Sequence, residues 1–204
     1  MRKALFSMLS LAFVATLFAD NYKILQMNTS SVKIGNRECK KGDVFSDDSV
    51  IVWTKEKQAI KAQNLQTKEI HLFTEIVFKK QNVKTIKEYF IKTNRMSSRI
   101  WGFSELSEQL NDTFFLLDTI RIESPIPLDS TRNYLIQYYY ANTERTKILQ
   151  NEDDHFIICR NLFEICDSIN EYKVRVLYRA RNVREDYLIT DSMHIIILPL
   201  SIEE

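Results

Sequence analysis

YKVRVLYRAR, residues 172–181, is the clearest structural pattern in this sequence. Apolar and aromatic side chains alternate there with mostly basic ones, which is the period of a β-strand that buries one face. Further strands are predicted at 134–140, 155–158 and 193–198. Because no long helix separates these strands, we expect residues 114–204 to form an antiparallel, immunoglobulin-like β-sandwich. The cysteine–tryptophan–cysteine spacing of true immunoglobulin domains is absent, so the likeness is one of architecture.

Two further units precede this sandwich. Residues 20–73 hold short apolar stretches between turn signals, among them Gly35-Asn36, which is typical of a two-residue hairpin turn. They indicate a small β-barrel or meander. Residues 74–113 change to a helical period, with a capping box at 85–88 and a second short helix at 104–110. We therefore predict a mainly β chain in which a short helical unit connects two β parts.

The N-terminus has the pattern of a secretory signal peptide. Arg2 and Lys3 form a basic head, and residues 4–19 form an apolar stretch that ends in the small residue Ala19. The stretch is shorter than the roughly 20 residues that a membrane-spanning helix needs, although an uncleaved membrane anchor is the alternative. We predict cleavage after Ala19 and export to the periplasm or the extracellular space. No cysteine lies near the end of the signal, so we expect no lipoprotein and no stable membrane anchor after cleavage.

Charge and glycine content exclude two classes of function. Removing residues 1–19 leaves 26 basic and 27 acidic residues, a net charge of −1 with histidines neutral. This balance gives no general attraction to nucleic acid, and we expect no nucleic-acid partner. The only glycines are Gly35, Gly42 and Gly102. Nucleotide-binding loops need clustered glycines so that backbone N–H groups can approach a phosphate, and such loops are therefore excluded.

Neither the histidines nor the cysteines form a catalytic or metal-binding motif. The residues concerned are His71, His155 and His194, together with Cys39, Cys159 and Cys166. No histidine has another ligand at a metal-binding spacing, so we predict no metal site, no cofactor and no catalytic residue. Cys159 and Cys166 are close enough to form a disulfide in an exported protein. Three small, buried, unpaired cysteines are the alternative.

Basic and aromatic side chains supply the candidate binding residues. The strand at 172–181 turns its basic side chains outward, where they could meet an acidic partner or an anionic glycan, or could simply face water. Two aromatic residues, one on the outward side of its strand and one at a strand end, suit a contact surface. The candidate binding residues are Trp53, Tyr139, Lys173, Arg175, Arg179 and Arg181.

One part of the chain resembles a known family. KGDVF at 41–45, IVW at 51–53 and QAIKA at 58–62 are similar to a K-G-D-x-F, I-x-W and Q-A-h-K pattern (h is apolar) of exported Bacteroidota proteins. That family is uncharacterised and has no assigned activity. The resemblance implies export and a β-rich fold, and it transfers no active site.

These observations lead to three hypotheses of function. The first is a non-catalytic protein–protein interaction module with a partner in the cell envelope, which a large, flat apolar patch would favour. The second is a glycan- or peptide-binding module, which a shallow groove over Tyr139 would favour. The third is an envelope hydrolase assembled from scattered residues, which would need a deep pocket holding His155 or His194 beside a cysteine or carboxylate.

Overall fold

A computed structural model describes residues 19–87, 102–165, 170–181 and 183–202. These residues are mainly β, as predicted. The signal sequence up to residue 18, Glu88 of the capping box at 85–88, and Cys166 of the candidate disulfide lie outside them. The helices that lie wholly within the described residues are α1 (Glu75–Lys80), α2 (Phe103–Leu110) and a short 3-10 helix (Arg160–Leu162). No helix in the described ranges is both long and apolar enough to cross a membrane.

Seven short strands build the N-terminal part. They are β1 (Asn21–Met27), β2 (Val32–Ile34), β3 (Arg37–Cys39), β4 (Val44–Ser46), β5 (Ile51–Val52), β6 (Ala59–Asn64) and β7 (Ile70–Thr74). They form a four-stranded sheet in the order β4-β1-β6-β7 and a three-stranded sheet in the order β3-β2-β5. Gly35-Asn36 joins β2 to β3 as a two-residue hairpin, as predicted, and Gly35 takes the positive φ of +59° that this turn needs. The sequence predicted either a small β-barrel or a meander for this part. The described strands form open sheets and no closed barrel.

Eight strands build the C-terminal part. They are β8 (Thr113–Leu116), β9 (Thr119–Glu123), β10 (Arg132–Tyr140), β11 (Thr143–Ile148), β12 (Gln150–Glu152), β13 (His155–Cys159), β14 (Glu171–Ala180) and β15 (Tyr187–Ile197). The orders are β11-β10-β14-β15-β8 and β12-β13-β9. One pair, β15 with β8, is parallel, whereas the sequence predicted antiparallel strands. The two strands lie far apart in sequence, so no tight hairpin imposes an antiparallel direction on them.

The core of the C-terminal part lies between its two sheets. Alternate residues of β14, Tyr172, Val174 and Val176, are buried there, as the period-2 pattern predicts. Residues of β9 and β13 reach the same cluster from the smaller sheet. Helix α2, predicted at 104–110, packs Leu106 and Leu110 into this cluster, and neither leucine has any exposed surface.

The predicted connecting unit divides between the two cores. Phe78 of α1 packs with the N-terminal strands, together with Val83 and Ile86, whereas α2 packs with the C-terminal ones. Between the two parts, a small apolar cluster brings Ala59 against Leu117 and Leu198. The helices therefore extend the two β cores instead of forming a separate layer.

Polar contacts reinforce the junction between the two parts. Asn28, after β1, is 2% exposed, and its side-chain amide donates to the carbonyls of Lys57 (2.9 Å) and Pro199 (3.2 Å). Its Oδ1 accepts the N–H of Ala59 at 2.8 Å. Lys61 Nζ also lies 2.6 Å from Asp118 Oδ1 across the same junction. The side chain of Asn28 thus provides hydrogen-bond partners for two backbone carbonyls and one backbone N–H at the junction.

Candidate binding face on the five-stranded sheet

The register of the sheet brings three of the candidate binding residues together. On the side of β10 and β14 turned away from the core, here called the outer face, Gln137 is paired with Arg175. Tyr138 is paired with Val174, so the next residues, Tyr139 and Lys173, also lie side by side on the outer face. The predicted residues Tyr139, Lys173 and Arg175 therefore share one patch of surface.

This patch is a shallow groove of about 400 Å³, here called the Tyr139 groove. The side chains that define it are Gln137, Tyr139, Glu171, Lys173, Arg175 and Asp191. Its lining includes neither a histidine nor a cysteine. A shallow groove over Tyr139 is the feature expected of a glycan- or peptide-binding module.

A chain of hydrogen bonds holds the groove side chains in place. Arg175 Nη1 donates to Gln137 Oε1 at 2.8 Å. Gln137 Nε2 in turn donates to Glu144 Oε1 at 2.9 Å and to Thr146 Oγ1 at 3.2 Å. The Tyr139 hydroxyl donates to Glu144 Oε2 at 3.2 Å, while 64% of the residue stays exposed. The tyrosine ring is thus tethered at its polar end and open to solvent, which suits a contact residue.

The charges around the groove are balanced. Lys173 and Arg175 face the two carboxylates of Glu171 and Asp191, so the four formal charges cancel. Within the described part of the chain, the ammonium of Lys173 makes no ion pair and no hydrogen bond. Asp191 Oδ1 accepts a hydrogen bond from Ser192 Oγ at 2.8 Å. The groove therefore offers donors and acceptors side by side, and these four side chains carry no net formal charge.

The other three candidate residues lie outside the groove. Arg179 makes two 2.7 Å hydrogen bonds to Asp186, whose pKa is held below its ordinary value by that arginine. Arg181 lies beyond the end of β14 and is exposed. Trp53 belongs to the N-terminal part, where its half-buried ring packs on Phe78 with 5.4 Å between ring centroids.

A row of apolar side chains crosses the outer face beside the groove. The sheet register aligns Ile148 of β11, Leu135 of β10, Leu177 of β14 and Leu188 of β15. The two central leucines are buried, whereas Ile148 is 60% exposed and Leu188 is 41% exposed. We call these four residues the apolar row. The sequence signal for this row is a leucine at an outward position in each of two strands, Leu135 in β10 and Leu177 in β14. The sequence-based predictions did not include the row.

The residues that could have formed a catalytic or metal centre lie apart. His71, His155 and His194 are in β7, β13 and β15. Among the described residues, no three His, Cys, Asp or Glu side chains form a metal-binding group. The Cys159 thiol is free and donates to Asn161 Oδ1 at 2.8 Å. Burial raises the pKa of this thiol, which keeps it protonated and weakly nucleophilic at neutral pH. Its disulfide with Cys166 stays a prediction.

Comparisons of this chain with protein-family models, with curated proteins and with solved structures find no match. The resemblance to exported Bacteroidota proteins therefore stays a prediction.

Proposed function

We propose that this chain is a non-catalytic binding module of the cell envelope and that it binds a protein partner across the outer face. The observation that carries the proposal is the apolar row, whose ends, Ile148 and Leu188, are exposed and whose neighbours on the outer face include Gln137, Arg175 and Arg179. Apolar side chains surrounded by a polar rim are the usual anatomy of a protein–protein interface. The two exposed ends lie in line across the sheet, with the buried Leu135 and Leu177 between them.

The size of the outer face supports the same reading. Its three longest strands have 9 to 11 residues, which corresponds to a length of about 30 Å. Five strands spaced about 4.8 Å apart span about 20 Å, so the face covers about 600 Å². A standard interface buries about 800 Å² on each partner. The face could thus supply most of one side of such an interface.

The residues beside the apolar row match the composition of interfaces. Arg179 follows Leu177 of the apolar row by two positions and so lies on the same face of β14, and arginine is enriched in protein interfaces. Although Arg179 is paired with Asp186, the stem of its side chain can cover apolar surface. Polar groups around an apolar centre exclude water from it in the complex.

Export is part of the proposal. The predicted signal peptide, residues 1–19, supports a periplasmic or extracellular location. The arrangement of two facing sheets in the C-terminal part supports the immunoglobulin-like architecture expected of it. N-terminal sequencing of the protein recovered from fractionated cells tests export: a mature terminus at Asp20 supports it, and an intact Met1 in the cytoplasmic fraction contradicts it.

Site-specific photo-crosslinking tests the proposed partner surface. A photoreactive amino acid is placed at Ile148 or at Leu188 in the protein expressed in its native host. The matched control carries it at Ile70, an equally exposed apolar residue on the N-terminal sheet. We expect a discrete crosslinked protein from positions 148 and 188 and none from position 70. The same products from all three positions, or none from 148 and 188, would overturn the proposal.

A further inference from the structure

We infer that the Tyr139 groove is a second binding site on the outer face and that it holds a short, uncharged oligosaccharide. The site is separate from the apolar row, and the inference goes beyond the proposed protein partner. A sugar offers hydroxyl groups that both donate and accept hydrogen bonds, together with C–H faces that are apolar. The groove provides partners for all three kinds of group, within a volume of about 400 Å³ that lies in the range of small-molecule sites.

The hydrogen-bonding groups of the groove are arranged for hydroxyls. Lys173 and Arg175 have only donors, Glu171 and Asp191 have only acceptors, and Gln137 has both. A ligand whose every polar group can donate and accept at once fits this mixture better than one with donors or acceptors alone. The chain of hydrogen bonds through Gln137 positions Arg175 before a ligand arrives, which lowers the entropy cost of binding.

Tyr139 supplies the apolar surface that a sugar ring needs. Its hydroxyl is tied to Glu144, and 64% of the residue is exposed at the groove. Because only the polar tip is engaged, the flat side of the ring is available for packing. A pyranose ring can lie on this surface while its hydroxyls reach the polar side chains of β14.

The charge balance argues against an anionic sugar. A carboxylated or sulfated ligand attracted to Lys173 and Arg175 would also meet Glu171 and Asp191. Like charges at such distances repel, and the repulsion removes what the two cations contribute. An uncharged ligand meets no such conflict.

The position of the groove within the sheet argues against a peptide. An extended peptide commonly binds by adding a strand to a free sheet edge, where main-chain groups are unpaired. The groove lies over β10 and β14, and both are interior strands whose main-chain groups pair with neighbours on either side. A ligand over these strands can bond only to side chains of the protein, and a sugar can be held by side chains alone.

Isothermal titration of the purified full chain tests the inference. The probes are hexasaccharides of glucose, mannose, xylose and N-acetylglucosamine, with a heparin hexasaccharide and a mixture of extended polar peptides as competitors. We expect at least one neutral sugar to bind. We expect Tyr139→Ala to weaken that binding at least tenfold, and Tyr139→Phe, which keeps the ring, to change it less than threefold. Tyr187→Ala removes another exposed tyrosine, outside the groove, and should leave binding unchanged.

Several results would overturn the inference. With the natural chain, the inference fails if no probe binds or if only the heparin fragment or the peptides bind. With the variants, it fails if a neutral sugar binds Tyr139→Ala as tightly as the natural chain, or if Tyr187→Ala also loses binding. Thermal melting of each variant shows that it is folded, since both side chains are exposed. Tyr139→Ala should leave the crosslinks at Ile148 and Leu188 intact. Failure of the sugar site therefore leaves the protein-binding proposal standing, and loss of the crosslinks alone would leave the sugar site standing.

Discussion

Replacing Asn28 by alanine should reduce the free energy of unfolding by about 2–5 kcal/mol. The side chain satisfies the Ala59 N–H and the carbonyls of Lys57 and Pro199, and it is 2% exposed. The Ala59 N–H is buried and would lose a partner, at a cost of about 1–3 kcal/mol. The two carbonyls are only partly buried and can regain water, so each should cost about 0.5–1 kcal/mol.

Asn28→Asp keeps the shape of the side chain and replaces its hydrogen-bond donor by an oxygen, so it tests the hydrogen bonds alone. The aspartate keeps an acceptor for the Ala59 N–H but places a second oxygen against the carbonyls of Lys57 and Pro199. Burial and these carbonyls should raise the pKa of the new carboxyl in the folded state above its unfolded value of about 3.9. The deficit relative to the natural chain should therefore be small below pH 4 and should grow as pH rises through the folded-state pKa.

Urea unfolding followed by far-UV circular dichroism, at pH 7 and pH 4, measures both effects. Gln81→Ala truncates an exposed amide at the end of α1 and serves as the control, with an expected change within about 0.5 kcal/mol. The reasoning fails if Asn28→Ala is as stable as Gln81→Ala. It also fails if the deficit of Asn28→Asp is larger at pH 4 than at pH 7.

Three further predictions concern the core, the junction and a buried hydroxyl. Leu106→Ala should cost about 2–5 kcal/mol, because Leu106 has no exposed surface, while the same change at the exposed Leu200 should be nearly neutral, both measured by urea unfolding. Lys61→Met should lower the free energy of unfolding by at most about 1 kcal/mol, since it removes a single partly exposed ion pair. This difference in free energy should be smaller in 1 M salt, which screens the ion pair. Tyr138→Phe removes the hydroxyl that lowers the pKa of Glu164, so carbon-13 titration should show that pKa rising toward about 4.3. A lowered carboxyl pKa stabilises the fold above the unfolded-state value, so the stability difference between Tyr138→Phe and the natural chain should shrink as pH falls below about 4.

Local patterns predicted much of the fold. The alternation at 172–181 identified β14 and its buried face, because a strand with one face in a core must repeat every two residues. Gly35-Asn36 identified the β2–β3 hairpin, and the spacing of Leu106 and Leu110 identified α2. Helix α1 was covered only by the broad helical prediction, since six residues are too few to show a helical period.

Long-range pairing lay beyond the sequence. The parallel pairing of β15 with β8 joins residues about 80 positions apart, and no turn signal specifies it. The open form of the N-terminal sheets depends in the same way on which strands meet. The contact of Trp53 with Phe78 of α1 likewise joins residues that no local pattern connects, and the role of Trp53 in binding stays a prediction.

The sequence by itself determined which side of each strand faces the core and which faces outward, because that depends only on neighbouring residues in one chain segment. It placed Tyr139, Lys173 and Arg175 on outward positions without showing that they meet. Only the tertiary structure decided that they line one groove and that Ile148 and Leu188 end one apolar row. The physical reason is register: side chains on different strands become neighbours through pairing between distant segments, and packing of the whole core sets that pairing.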